Sequence, residues 1–520
     1  MRTCFIILLF FTVKFTFAQN TYVPDDNFEM ALINLGLDEL PLDDYVPTTN
    51  IQDITNLNLQ YHDIEDLTGI EDFQSLETLN CADNDLSTLN LSQNFALKNL
   101  TCYQSNILNL DVSNNLNLSS LNCAVNPLGE IDLSQNTLLT SLVCTSNDLT
   151  SLNLSNNTEL EMLLCFNNQL DSIDLSSNTA LWHLQCHNNQ LTNLNLLSNP
   201  QLSVLFCYNN QISDLDLSVN TSLTRLKCQN NPITQLDLSN NDELFLLYCF
   251  ETGITQLDIS TNFLLSKLDC HGLPLGELDL SNNSNLQELN CENTQLTLLD
   301  VTNNPLLGEL KCGQNQLTEL TVVFNPELST LDFSSNQISG INLSNNQALS
   351  NLNCSYNDLT SLDITDIGYL YNLVCGNNQL RELDLRNMPD WGLVSTVGNP
   401  DLTCIYVLDK DAWYLNEWSI DSWSTYVETE EECDSLVSVK EIPSQMVSIY
   451  PNPFTNVLII EDLGRKYTNL EIFDSNGKKC VEFVNPVDQV RIEMSEFNHG
   501  LYLISLKNAE KTLLKKVIKK

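Results

Sequence analysis

A single 21-residue motif dominates this chain, because it is repeated fifteen times without an insertion between Leu76 and Met388. Cysteine recurs every 21 residues from Cys81 to Cys375, and only Phe333 interrupts the row. Around each cysteine the pattern is LxxLxCxxNxL, followed by xxLDLSxNxx. A fixed period of this length indicates a solenoid, in which each repeat forms one turn and stacks on the next.

Each repeat is predicted to begin with a short β-strand. Alternate residues of a strand point to opposite sides, so Cys81 and the leucine two positions before it face the core while Asn80 faces outward. Asparagine follows most cysteines by three positions, as Asn84 does, and its amide can bond backbone groups left unpaired at the strand end. A second asparagine ladder runs from Asn94 to Asn346. A 21-residue turn leaves no residues for a full helix. Both sides of the solenoid are therefore expected to consist of strands or tight turns.

These repeats resemble the leucine-rich repeat family, in which LxxLxLxxNxL forms a parallel sheet on the concave face. Cysteine here takes a leucine position, and the resemblance covers about two thirds of the chain. It implies a mainly β solenoid that binds a partner and is not an enzyme.

The residues outside the repeats divide into further segments. The first residues combine Arg2, an apolar run and a small-residue end, as in a secretory signal peptide. Pro24 and Gly36 bound a short helical pattern that would cover the first turn. Tryptophans cluster after the last repeat, where they suit a terminal cap. The predicted segments are a signal peptide (1–18), an N-terminal cap (19–53), the solenoid (54–395), a C-terminal cap (396–434), a linker (435–446) and a small β-sandwich module (447–520).

The last segment resembles the C-terminal sorting domain of type IX secretion. Strand-like runs and an Asn476-Gly477 hairpin turn predict an all-β module. The resemblance implies recognition by the outer-membrane translocon, removal of the module, and a cell-surface or extracellular location. An ordinary β-sandwich adhesion module is the alternative. The residues that carry the resemblance are Tyr450, Pro451, Asn452, Pro453, Gly477, Lys478, Gly500 and Tyr502, with the terminal lysine pair.

Charge excludes several partners. The net charge is -45, and residues 19–439 contain 57 acidic but only 8 basic side chains. Such a surface disfavours nucleic acid and anionic membranes. Beyond the first residues there is no run of 18 apolar residues, so no membrane span is expected.

The cysteines fall into two groups. Ladder cysteines one turn apart have parallel side chains, which suits neither a disulfide dihedral nor convergent metal ligands, so we predict buried free thiols. Cys404 and Cys433 stand off the ladder and are predicted to pair, which could contribute about 3 kcal/mol. Two unpaired thiols are the alternative.

No cofactor is predicted, although a row of aspartates leaves calcium as an alternative. Stacked carboxylates repel and a divalent cation would relieve this, but exposed charges in water interact by only about 1 kcal/mol. A solvated face is therefore preferred. The row comprises Asp111, Asp132, Asp174, Asp216, Asp237, Asp258, Asp279, Asp300, Asp363 and Asp384.

Six consecutive strands carry large or basic outward residues where most others carry small polar ones. They predict a patch that binds a surface glycan, peptide or protein. A structural adhesin without a discrete site, and a surface that docks the chain's own cap or a neighbouring copy, are the alternatives. The patch comprises Phe166, His183, His187, Phe206, Tyr208, Arg225, Lys227, Tyr248, Phe250, Lys267 and His271.

A hidden hydrolase is a further alternative that the histidines do not support. His183 and His187 lie about 13 Å apart along one strand and cannot share a zinc ion. Across neighbouring turns, His187 is expected to face Phe166 and Tyr208. His271 is expected to pair with Glu292 on the next turn.

Overall fold

The computed structural model describes residues 19–389, 392–437, 447–461, 467–484, 486–487, 489–508 and 512–520. The predicted signal peptide and most of the predicted linker lie outside the described residues. The chain forms two compact units, one ending at Glu428 and the other beginning at Thr429.

A short helical cap covers the N-terminal end of the solenoid, as predicted. The Asp25 side chain caps the first helix by accepting a hydrogen bond from the Phe28 amide at 2.9 Å, and its other oxygen accepts from Glu65 and Asp66 in the first turn. Phe28 and Leu32 are fully buried, so the helix closes the open end of the core. The elements are β1 (Asn20–Tyr22), α1 (Asp26–Asn34), β2 (Tyr45–Pro47) and α2 (Thr48–Ile51).

The solenoid is built on one long parallel sheet. Seventeen three-residue strands pair in register from β3 to β22, with Leu163 beside Leu184 and Leu184 beside Leu205. In chain order the strands are β3 (Asn56–Asn58), β4 (Thr78–Asn80), β5 (Leu89–Asn90), β6 (Asn99–Thr101), β7 (Leu110–Asp111), β8 (Ser120–Asn122), β9 (Ser141–Val143), β10 (Met162–Leu164), β11 (His183–Gln185), β12 (Val204–Phe206), β13 (Arg225–Lys227), β14 (Leu246–Tyr248), β15 (Lys267–Asp269), β16 (Glu288–Asn290), β17 (Glu309–Lys311), β18 (Thr330–Asp332), β19 (Asn351–Asn353), β20 (Asn372–Val374), β21 (Glu382–Asp384) and β22 (Leu393–Ser395). Of these, β5 pairs with β7, and β21 pairs with a strand of the C-terminal cap.

Leucine and cysteine fill the core, as the alternation predicts. The fourteen ladder cysteines are buried and free, and Phe333 is buried in the one ladder position that lacks cysteine. Burial raises the pKa of Cys81 to about 12 and that of Cys186 well above its ordinary value. The thiols therefore act as small apolar side chains.

The asparagine after each cysteine joins consecutive turns. The Asn168 amide donates to the carbonyl oxygens of Cys144 and Cys165 at 2.9 and 3.0 Å, and its side-chain oxygen accepts from the amides of Asn147 and Leu149. The predicted role of these amides is thus confirmed. One side chain replaces the sheet hydrogen bonds that end with the strand.

The side opposite the sheet consists mainly of extended segments and tight turns. Most aspartates of the predicted ladder have a serine or threonine two positions later and close such a turn. Asp111, for example, accepts a hydrogen bond from the Ser113 amide at 2.9 Å. These hydrogen bonds lower the pKa of the Asp111 and Asp237 carboxyls. The aspartates therefore have a structural role in the turns.

An aromatic cap follows the last turn. The Trp418 indole donates to the Gly392 carbonyl at 2.8 Å, and the Trp423 indole donates to the Asn399 carbonyl at 3.1 Å. Cys404 and Cys433 are disulfide-bonded, which confirms the predicted bridge. The cap contains β23 (Cys404–Tyr406), a 3-10 turn (Trp413–Glu417) and β24 (Thr425–Val427), and β21, β23 and β24 form a parallel sheet.

The second unit contains two antiparallel sheets over one hydrophobic cluster, in agreement with the predicted sandwich. Phe454, Leu458, Ile472 and Ile504 are fully buried in it. The elements are α3 (Glu430–Val437), β25 (Ser448–Tyr450), β26 (Val457–Glu461), β27 (Asn469–Asp474), β28 (Lys479–Val484), β29 (Val490–Glu493), β30 (Gly500–Lys507) and β31 (Thr512–Lys519).

Candidate binding surface

The predicted patch lies on the outward side of strands β10 to β15, where in-register pairing aligns equivalent side chains into three rows. We call this surface the sheet face. One row follows the cysteines, a second ends the strands and a third begins them. Every predicted patch residue belongs to one of these rows, so the structure brings all eleven onto one surface.

The row after the cysteines contains two stacks of rings, with Gln229 between them. His187 lies between Phe166 and Tyr208, with ring centroids 4.3 and 4.2 Å apart and planes within 14° of parallel. Farther along, Phe250 stacks on His271 at 4.2 Å. His187 is only 6% exposed, so its ring faces are covered by its two neighbours. The predicted contacts of His187 are confirmed.

The row at the strand ends places a cation between two rings. The Lys227 ammonium lies 4.9 Å from the centre of the Phe206 ring and 4.8 Å from that of Tyr248. Both distances are typical of cation–π contacts. Burial, followed by repulsion from Arg225, lowers the pKa of Lys227.

The row at the strand starts contains His183, Arg225 and Lys267. The His183 ring contacts the Gln185 amide at 2.8 Å, and Lys267 pairs with Glu288 at 2.5 Å. Arg225 is exposed and has Val204 and Leu246 beside it on the adjacent strands. Of the three patch cations, Lys267 is therefore the one with an acidic partner among the described residues.

The histidines of the patch are weak bases. Burial, followed by the charge of Lys227, lowers the pKa of His187 to about 4. Burial, followed by the charge of Arg225, lowers the pKa of His183. Both rings are consequently uncharged at neutral pH.

One predicted contact is wrong. His271 pairs with Asp269 on its own strand, at 2.7 Å, and not with Glu292 on the next turn. Residues two apart on a strand share one side of the sheet, so Asp269 is as close in register as a residue of the next turn. The sequence pattern did not separate these two partners.

An acidic stretch that the sequence reasoning missed follows the patch on the same face. It comprises Glu288, Glu292, Glu309 and Asp332, and it contains Lys311 paired with Glu309. Burial, followed by the charge of Asp332, raises the pKa of Glu292. Counting charges at the outward strand positions of these turns would have revealed the stretch.

Metal-binding geometry is scarce in the part of the chain that the structure describes. The acidic groups that converge there are Asp26, Glu29 and Asp44, in the N-terminal cap and away from the aspartate ladder. Both oxygens of Glu29 already accept hydrogen bonds, from the amides of Asp43 and Asp44. This cluster therefore belongs to the cap structure.

The predicted sorting-motif residues gather at strand ends of the second unit. The Asn452 amide donates to the Lys516 carbonyl at 3.2 Å, and its side-chain oxygen accepts from Ile518 at 2.9 Å. The Tyr502 hydroxyl donates to Asn498. Gly477 has a φ of 74°, the left-handed region that favours glycine in a hairpin turn. Tyr450, Pro451 and Pro453 flank Asn452, Lys478 follows Gly477, and Gly500 begins β30.

Comparison with known proteins identifies both units. The functional domain of InlJ from Listeria monocytogenes, a structure that includes a cysteine ladder, aligns with a TM-score of 0.62 at 26% identity, over 97% of this chain and 99% of that one. A family model for the secretion system C-terminal sorting domain matches residues 448–520. The repeats therefore have the leucine-rich repeat fold, and residues 448–520 match the sorting domain of type IX secretion. The sorting domain indicates export to the cell surface or the extracellular space.

Other leucine-rich repeat proteins share the fold. A leucine-rich repeat protein of Leptospira interrogans aligns with a TM-score of 0.57 at 21% identity, over 75% of this chain and 95% of that one. YopM from Yersinia enterocolitica aligns with a TM-score of 0.53 at 21% identity, over 72% of this chain and 91% of that one. Among curated proteins, none matches this sequence. Within the described residues, no helix combines the length and apolar character of a membrane span.

Proposed function

We propose that this exported leucine-rich repeat protein binds a polypeptide partner through the patch on its concave sheet face. Solenoids of this kind are interaction scaffolds that use such extended surfaces. The observation that carries the proposal is the grouping of aromatic and cationic side chains on strands β10 to β15, on a sheet whose other outward positions carry mainly small polar or acidic side chains.

Ring orientation favours a polypeptide over a neutral glycan. Sugars stack on exposed aromatic faces, but the faces of His187 are covered by its neighbours and Lys227 lies over Phe206 and Tyr248. The surface therefore presents ring edges, which carry partial positive charge, and two cations. Such a surface suits backbone carbonyls and acidic side chains.

The patch matches the size of an extended segment. Six turns at about 4.8 Å and three outward positions give roughly 300 Å², whereas a standard protein interface buries about 800 Å² on each side. We infer that the patch anchors one segment of the partner.

The test is capture of surface proteins and binding to a glycan array by the mature chain and two variants. Tyr208→Ser with Tyr248→Ser should abolish capture, while Asn351→Ser with Asn372→Ser, which changes outward positions of the same sheet, should leave it unchanged. Equal capture by both variants would refute the assignment. A patch variant that altered only the oligomeric state would assign the patch to contacts between copies.

A further inference from the structure

Arg225 and Lys227 form a cationic pair that has no acidic partner among the described residues. They point to the same side of β13, and the adjacent strands place Val204 and Leu246 beside Arg225, and two aromatic rings beside Lys227. Neither forms an ion pair with a described residue. Two like charges held this close destabilise each other, and an anionic group bound between them would relieve the repulsion.

The same face also carries an acidic side chain, Glu292, that has no ion-pair partner among the described residues. Lys267 and Lys311 already pair with Glu288 and Glu309. The Glu292 carboxylate is half-buried and makes no hydrogen bond or ion pair with a described residue, although Asp332, Lys311, His271 and Asp269 all lie in its electrostatic surroundings. A cationic group of a ligand bound there would give this carboxylate the direct ion pair that it lacks among the described residues.

The two charged positions are separated along the solenoid by a defined distance. Glu292 belongs to the third turn after that of Lys227. At about 4.8 Å per turn, the two turns are about 14 Å apart along the solenoid. A cavity of about 150 Å³ lies on this face along strands β14 to β17, and residues such as Tyr248, Asp269 and Lys311 line it. An extended polypeptide rises about 3.3 Å per residue and covers this distance in about four residues.

We propose that the bound segment is an extended peptide with an acidic side chain at Arg225 and Lys227 and a basic side chain about four residues away at Glu292. This inference rests on the proposed function and specifies its ligand. A uniform polyanion such as an acidic polysaccharide would meet Asp269, Glu292 and Asp332 after leaving the cations. A uniform polycation would meet Arg225 and Lys227. A segment that carries both signs complements both ends of the surface.

The experiment selects peptides from a random 12-residue display library on the full chain. Enriched peptides should carry an acidic and a basic residue about four positions apart. With Arg225→Gln and Lys227→Gln the acidic preference should disappear, and with Glu292→Gln the basic preference should disappear. Each variant should weaken the best selected peptide about tenfold. Lys98→Gln removes a solenoid cation that pairs with Glu77, and it is the matched control expected to leave binding unchanged.

Two results would overturn the inference while leaving the proposed function intact. In one, peptides are enriched and compete with the captured partner but show no charge pattern. In the other, no peptide is enriched, although Tyr208→Ser with Tyr248→Ser still abolishes partner capture. Binding of polygalacturonate that is lost in the Arg225 and Lys227 variant would also overturn it, because the ligand would then be a polyanion. If every patch variant still bound both the peptide and the partner, both proposals would be refuted.

Discussion

Replacing Asn168 with alanine tests how far the buried asparagine ladder stabilises the solenoid. The side chain forms hydrogen bonds with five backbone groups, the carbonyls of Cys144, Cys165 and Phe166 and the amides of Asn147 and Leu149, at 2.9 to 3.3 Å. Asn168 is 8% exposed, so alanine would leave the Cys144 carbonyl and the amides of Asn147 and Leu149 unpaired in the interior, whereas the Cys165 carbonyl would keep its bond from Asn189.

The magnitude follows from the cost of unpaired buried groups. Each costs about 1–3 kcal/mol, and water that enters the space left by the amide recovers part of the total. We therefore expect Asn168→Ala to destabilise the chain by about 4 kcal/mol. Asn168→Thr should lose about half as much, because Thr252 and Thr294 occupy equivalent positions and donate to the carbonyls of Cys249 and Cys291.

The assay is guanidinium unfolding of the mature chain, using the first transition because long repeat arrays need not unfold in one step. Asn153→Ala is the control, since Asn153 is exposed and accepts a single hydrogen bond from the Ser155 amide. It should cost less than about 1 kcal/mol. Equal stability of Asn168→Ala and Asn153→Ala would refute the reasoning.

Three further predictions concern other parts of the chain. In the folded full chain, which still carries the sorting domain, the ladder thiols should resist alkylation, because burial raises the pKa of Cys81 to about 12. The less buried Cys480 should react, and rapid labelling of all thiols would contradict this prediction. The pKa of His187 is lowered to about 4, so between pH 6.5 and 4 the unfolded chain binds more protons than the folded chain. The free energy of unfolding should therefore decrease by about 2 kcal/mol as the pH falls from 6.5 to 4. His187→Phe should lack that component, and an unchanged difference between pH 7 and 4 in unfolding titrations would contradict the assignment. Intact-mass analysis of surface material should find a chain without residues 1–18 and without most of the residues after 446, whereas a chain ending at Lys520 would count against removal of the sorting domain.

Local pattern was sufficient to predict the repeat architecture. Period-2 alternation decides which side of a strand each residue occupies, so the burial of Cys81 and the outward position of Tyr208 followed from the sequence alone. The spacing of the asparagines predicted their backbone contacts. The off-ladder positions of Cys404 and Cys433 predicted the disulfide.

The tertiary structure decided what the outward side chains do with one another. The sequence placed Phe206, Lys227 and Tyr248 on one surface, but only the stacked turns show that the ammonium lies between the two rings. The same is true of His271, which pairs with Asp269. On a parallel sheet a side chain has candidate partners on its own strand and on both neighbouring turns at similar distances. The sequence determines this set of neighbours, whereas the rotamers and mutual packing of the side chains determine which contact forms.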